Sequence, residues 1–169
     1  MGAWGALIMS FFGAFFASLT LYWQSHFFGV SLVIPFFGFV VLGLTACYVI
    51  RMPGHGRTPT IKEERAIMWS SIGEGVGLFL ASNIVINLNR PDLLLPSMAL
   101  IVGLHFLPIA FAAKFRPFYI LGAVLMAAAT LGFFVGPPMG GEISGFMAAS
   151  ALWLASVVAI HREWLLKIT

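Results

Sequence analysis

Glu74 and His105 stand inside long apolar runs. A carboxyl group and an imidazole in such surroundings can exchange a proton, coordinate a cation, or share one buried hydrogen bond. Eight residues separate Glu74 from Ala66, the first residue past a charged collar, TPTIKEER. At helical rise that is about 12 Å. His105 follows Leu94 by eleven residues, about 17 Å in a segment running the other way. Across an apolar layer about 30 Å thick, the two depths agree to about 1–2 Å. A Glu74–His105 pair is therefore allowed, either as a proton or cation site or as a structural hydrogen bond. Pro108 leaves the carbonyl of Leu104 without its helical donor, which predicts a polar backbone atom beside His105.

Asn83 and Asn87 are four residues apart and share one helix face, nearly opposite Glu74. They extend the candidate polar pathway, and interhelix hydrogen bonds are their plainer role. Polar groups on two faces predict that this helix is central, with protein on several sides. Gly73, Gly77 and Ala81 form a small-residue ridge on the same helix, suited to close helix packing within one chain or between copies.

The elements holding these residues follow from composition. Of 169 residues, 60% are hydrophobic and 9% charged, with a mean hydropathy of +1.00. A soluble domain carries about 25% charged residues. Continuous apolar runs, without period-two alternation, predict an all-α polytopic membrane bundle rather than a barrel. Punctuation by Pro, Gly and charge divides it into six helices, about 3–23, 28–50, 61–88, 94–113, 118–135 and 142–160, in one transmembrane domain. Pro35 is expected to bend the second, and a short tail, HREWLLKIT, to follow the sixth. Thr60 with Glu63 predicts a capping box opening the third. The first run has no preceding Lys or Arg and exceeds the usual leader length, so it is expected to be retained.

Short matches suggest two inverted three-helix repeats: Gly73-Glu74-x2-Gly77-x3-Ala81-Ser82 echoes Gly141-Glu142-x2-Gly145-x3-Ala149-Ser150. Eight of nine basic residues fall on one side, counting alternately across six spans, and only Arg90 on the other. That asymmetry predicts cytoplasmic N- and C-termini, a cytoplasmic loop 51–65, and residence in a bacterial-type inner (plasma) membrane. It also accounts for the net charge of +3 without nucleic acid.

The sole cysteine, Cys47, excludes an intrachain disulfide, and no Cys/His spacing suggests a metal. No phosphate loop, dinucleotide fingerprint or nucleophile elbow is present, so no cofactor is expected. The leading expectation is passage of a small solute or ion, proton-linked through Glu74 and His105. The alternative is a non-catalytic structural or regulatory subunit. An intramembrane lipid-modifying enzyme ranks third, since the one dense charged cluster, His55, Arg57, Glu63 and Glu64, reads as a solvated loop. Expected partners are membrane lipids and further copies of the chain through small-residue faces.

Overall fold

The computed structural model describes residues 2–54 and 58–168. It contains α1 (Ala3–Trp23), α2 (Ile34–Arg51), α3 (Ile61–Asn87), α4 (Leu94–Ala113), α5 (Arg116–Val135) and α6 (Met139–Ile168), with no strand among the described residues. Among the described residues, six helices are long and apolar enough to cross a membrane.

Local chemistry explains most boundaries. Thr60 and Glu63 form the reciprocal capping box: Glu63 N–H donates to Thr60 Oγ1 at 3.3 Å, and Thr60 N–H to Glu63 Oε2 at 2.6 Å. Pro117 lies in the first turn of α5, where a missing N–H costs nothing. Pro35 does the same for α2, which corrects the expectation of a bend. The segment before it, Gly29–Leu32, is a separate 3₁₀ turn, so the proline starts the helix instead of interrupting it. The tail after position 160 is also helical, continuing α6 to Ile168. Its Lys167 ammonium donates to the carbonyls of Val49, Ile50 and Met52 at 2.9, 2.8 and 3.0 Å. A cation thereby satisfies acceptors that the end of α2 leaves over.

The core lies around α6, which packs against α1, α5, α4 and α2. Small residues let these helices approach closely. The Thr20 side chain of α1 fills the position a Cβ on Gly145 of α6 would take. Between α4 and α5, a Cβ on Gly103 would stand 3.0 Å from the Gly122 carbonyl, and one on Gly122 2.9 Å from the Gly103 carbonyl. Trp153 of α6 donates its indole N–H to the Ser10 carbonyl of α1 at 3.2 Å.

Helix α3 is not central, contrary to the expectation from its polar residues. It rests on α4, and only Glu63 and Val85 are buried along its length. The reasoning from Asn83 fails for a local reason: its amide donates to the Phe79 carbonyl of its own helix at 2.7 Å and needs no neighbouring helix. The two halves of the chain also pack differently. Helix α6 lies against α5 and α4, whereas α3 makes no comparable packing with α2 or α1.

The basic residues gather at one end. Arg51 ends α2, Lys62 and Arg65 open α3, and Lys114 and Arg116 join α4 to α5. Arg162 and Lys167 lie in the last turns of α6, and the Arg162 guanidinium sits 4.1 Å over the Phe115 ring. Arg57 lies outside the described residues. Arg90 is at the opposite end, paired with Asp92 at 2.8 Å, a contact that holds the guanidinium above its ordinary pKa.

Candidate functional site

Helices α3 and α4 are antiparallel neighbours because six residues, 88–93, join them. Their register is set by two contacts: Gly77 faces Ile101, and Ser70 faces His105. One turn from Ser70 on the same face, Glu74 meets His105. Glu74 Oε2 lies 3.4 Å from His105 Nδ1, with side chains only 14% and 9% exposed. The structure thus brings these two predicted residues together.

A third member, Ser70, was not anticipated. Its Oγ lies 2.6 Å from the His105 carbonyl oxygen and 3.1 Å from His105 Nδ1. A carbonyl cannot donate, so the hydroxyl proton points to it, and the serine lone pairs face the ring. In that arrangement Nδ1 carries the hydrogen and donates to Ser70, with Glu74 beside it, and Nε2 of the neutral ring is the basic nitrogen. The carbonyl that gains a donor is His105's own, one residue beyond the Leu104 carbonyl singled out by Pro108. Helical spacing carried the signal, since a hydroxyl four residues before an acid lies on its face.

Two spaces adjoin the pair. On the α3–α4 side is an open groove of about 370 Å³, reaching from Gly77 past Glu74 and His105 to Pro108. Gly73 contributes to its width: a Cβ there would touch nothing within 4 Å. On the inner side is a chamber of about 30 Å³ between Met9 and Phe12 of α1, Val102 and Phe106 of α4, and Leu152 of α6. That volume exceeds the roughly 10–15 Å³ a cavity needs to hold one water molecule. Glu74 and His105 line both spaces. The arrangement can take a proton at Nε2 and release one from Nδ1 toward the Glu74 carboxylate, with Ser70 holding the ring.

The remaining candidates lie elsewhere. Asn83 and Asn87 are exposed and line neither space, so they are not part of this cluster. Of the ridge, Gly77 packs on Ile101 and Ala81 is half-buried, while Gly73 borders the groove without close packing. In the charged cluster, Glu63 serves the capping box, Glu64 is exposed, and His55 and Arg57 fall outside the described residues. Glu142 accepts from Ser25 Oγ at 3.2 Å, far from Glu74 in its contacts. Among the described residues, no group of three or more His, Cys, Asp and Glu side chains could hold a metal ion. No protein-family model matches this chain, and no curated protein or solved structure matches it.

Proposed function

We propose that this is an integral membrane protein that passes a small solute or ion, coupled to proton exchange at Glu74 and His105. One observation carries the reading: an acid and an imidazole in contact line both an open groove and an inner space large enough for a water molecule. Groups this polar are costly against lipid, and those retained inside apolar helices commonly serve ion or proton movement. The gathering of basic residues at one end of the bundle supports an orientation with both termini cytoplasmic in an inner (plasma) membrane.

Reconstitution into liposomes, with a pH-sensitive dye inside and a panel of small solutes outside, tests the reading. Flux should depend on a pH gradient and vanish in Glu74→Gln. Gradient-independent behaviour of both proteins across the panel would overturn it.

A second reading, a structural or regulatory subunit, draws support from α3. That helix is held on one side alone, and its outer face presents Trp69, Ile72, Val76 and Phe79. Co-purification of a fixed partner at constant stoichiometry would favour it. An enzyme is not favoured: of the charged cluster's described residues, Glu63 serves the capping box and Glu64 is exposed.

A further inference from the structure

On the side of the bundle away from α3, a second apolar space separates α5 from α6. Its part nearest the basic end measures about 380 Å³, between Phe115, Pro117 and Ile120 on one side and Ala155, Val158 and Ala159 on the other. A further space of about 360 Å³ continues it along α6 to Phe146 and Met147. The two share Val124, Ala151 and Leu154, so they form one trench. From Ala159 to Phe146 the trench follows thirteen residues of α6, about 20 Å at helical rise. It carries no charged lining residue.

The mouth of the trench has a different chemistry. Lys114 and Arg116 are exposed and bracket Phe115, which lines the trench. The guanidinium of Arg162, from α6, stacks on that same Phe115 ring at 4.1 Å. Helix α5 begins at Arg116, so its positive dipole end points the same way. Glu163, next to Arg162 in sequence, places its carboxylate against Gly2 at the start of α1. A long apolar trench beside two exposed cations and a helix N-terminus is complementary to an amphiphile with an anionic head.

We propose that the α5–α6 trench binds one anionic phospholipid, an acyl chain lying along Ala151 and Ala155 and the phosphate held by Lys114 and Arg116. Basic sites between helices at the cytoplasmic face recognise such headgroups, and each cation near the surface favours them about fivefold. The inference needs the chain to lie in a membrane but is independent of any flux through Glu74.

Native mass spectrometry of the purified protein in detergent, with equimolar phosphatidylglycerol and phosphatidylcholine, tests it. Wild type should retain phosphatidylglycerol preferentially. Lys114→Gln/Arg116→Gln should lower that preference by up to about thirtyfold without altering the melting temperature in lipid-free detergent. Ala151→Phe, which blocks the middle of the trench, should reduce retention of both lipids. If that variant does not fold, the exposed charge pair decides the matter alone. Equal retention of the two lipids by wild type, an unchanged preference in the charge variant, or a second copy of the chain in place of lipid would each overturn the proposal. Extraction of the protein from membranes by detergent, scored separately, tests membrane residence itself.

Discussion

Ser70 Oγ bridges two atoms of His105, its carbonyl oxygen at 2.6 Å and its ring Nδ1 at 3.1 Å. One hydroxyl thereby ties the ring to the backbone beside Pro108 and, donating to the carbonyl, turns its lone pairs toward Nδ1, which favours a hydrogen there. Ser70→Ala removes both contacts. It should lower stability in detergent by about 1 kcal/mol, the usual worth of a hydrogen bond to a neutral partner. It should also release the ring to either tautomer, which nitrogen NMR of labelled His105 would report. A single Nδ1–H tautomer persisting in the variant would show that Glu74, not Ser70, orients the imidazole.

Glu74 separates charge from hydrogen bonding. Glu74→Gln keeps an amide able to meet His105 but cannot ionise. The expected result is a folded protein without pH-dependent flux. Glu74→Leu removes the carboxyl contact and leaves the His105 ring with Ser70 alone, which should cost about 1–2 kcal/mol on thermal unfolding, in the range of interhelix polar contacts. If Glu74→Gln transports normally, the carboxyl group is structural.

The glycines divide into those with close neighbours and those without. Gly122→Leu must push α5 away from the Gly103 carbonyl and should cost at least about 3 kcal/mol or abolish folding, as overpacking of tight contacts does. Gly77→Leu, against Ile101 on one side only, should cost less. Gly73→Ala meets nothing and should lie within about 0.5 kcal/mol of wild type. Melting temperatures in one detergent order the three. A Gly73→Ala protein as damaged as Gly122→Leu would place an unseen surface, such as a second copy, against α3.

Orientation is open to single-cysteine labelling after replacing Cys47, which is exposed. Lys62→Cys at the basic end should react only with reagent admitted to the cytoplasmic side, and Asn89→Cys only from outside. The reverse pattern would invert the protein in the membrane.

Much of this arrangement is written locally in the chain. Helix number and most boundaries depend on apolar length, on Pro117 and on the Thr60–Glu63 cap, and those signals act over a few residues. The common depth of Glu74 and His105 follows from a fixed helical rise and a connector too short for anything but antiparallel neighbours. Lateral position is different, because it depends on how each helix turns about its axis. Gly103 against Gly122 and Thr20 against Gly145 draw α4, α5, α1 and α6 together, and α3 is left outside with one face packed. Asn83 satisfied its own amide within one turn, so its polarity carried no information about neighbours. Ser70 entered the site only because α3 presents that face to His105. Residue type and spacing could nominate the acid and the imidazole, but packing between distant segments decided which third group would hold the ring.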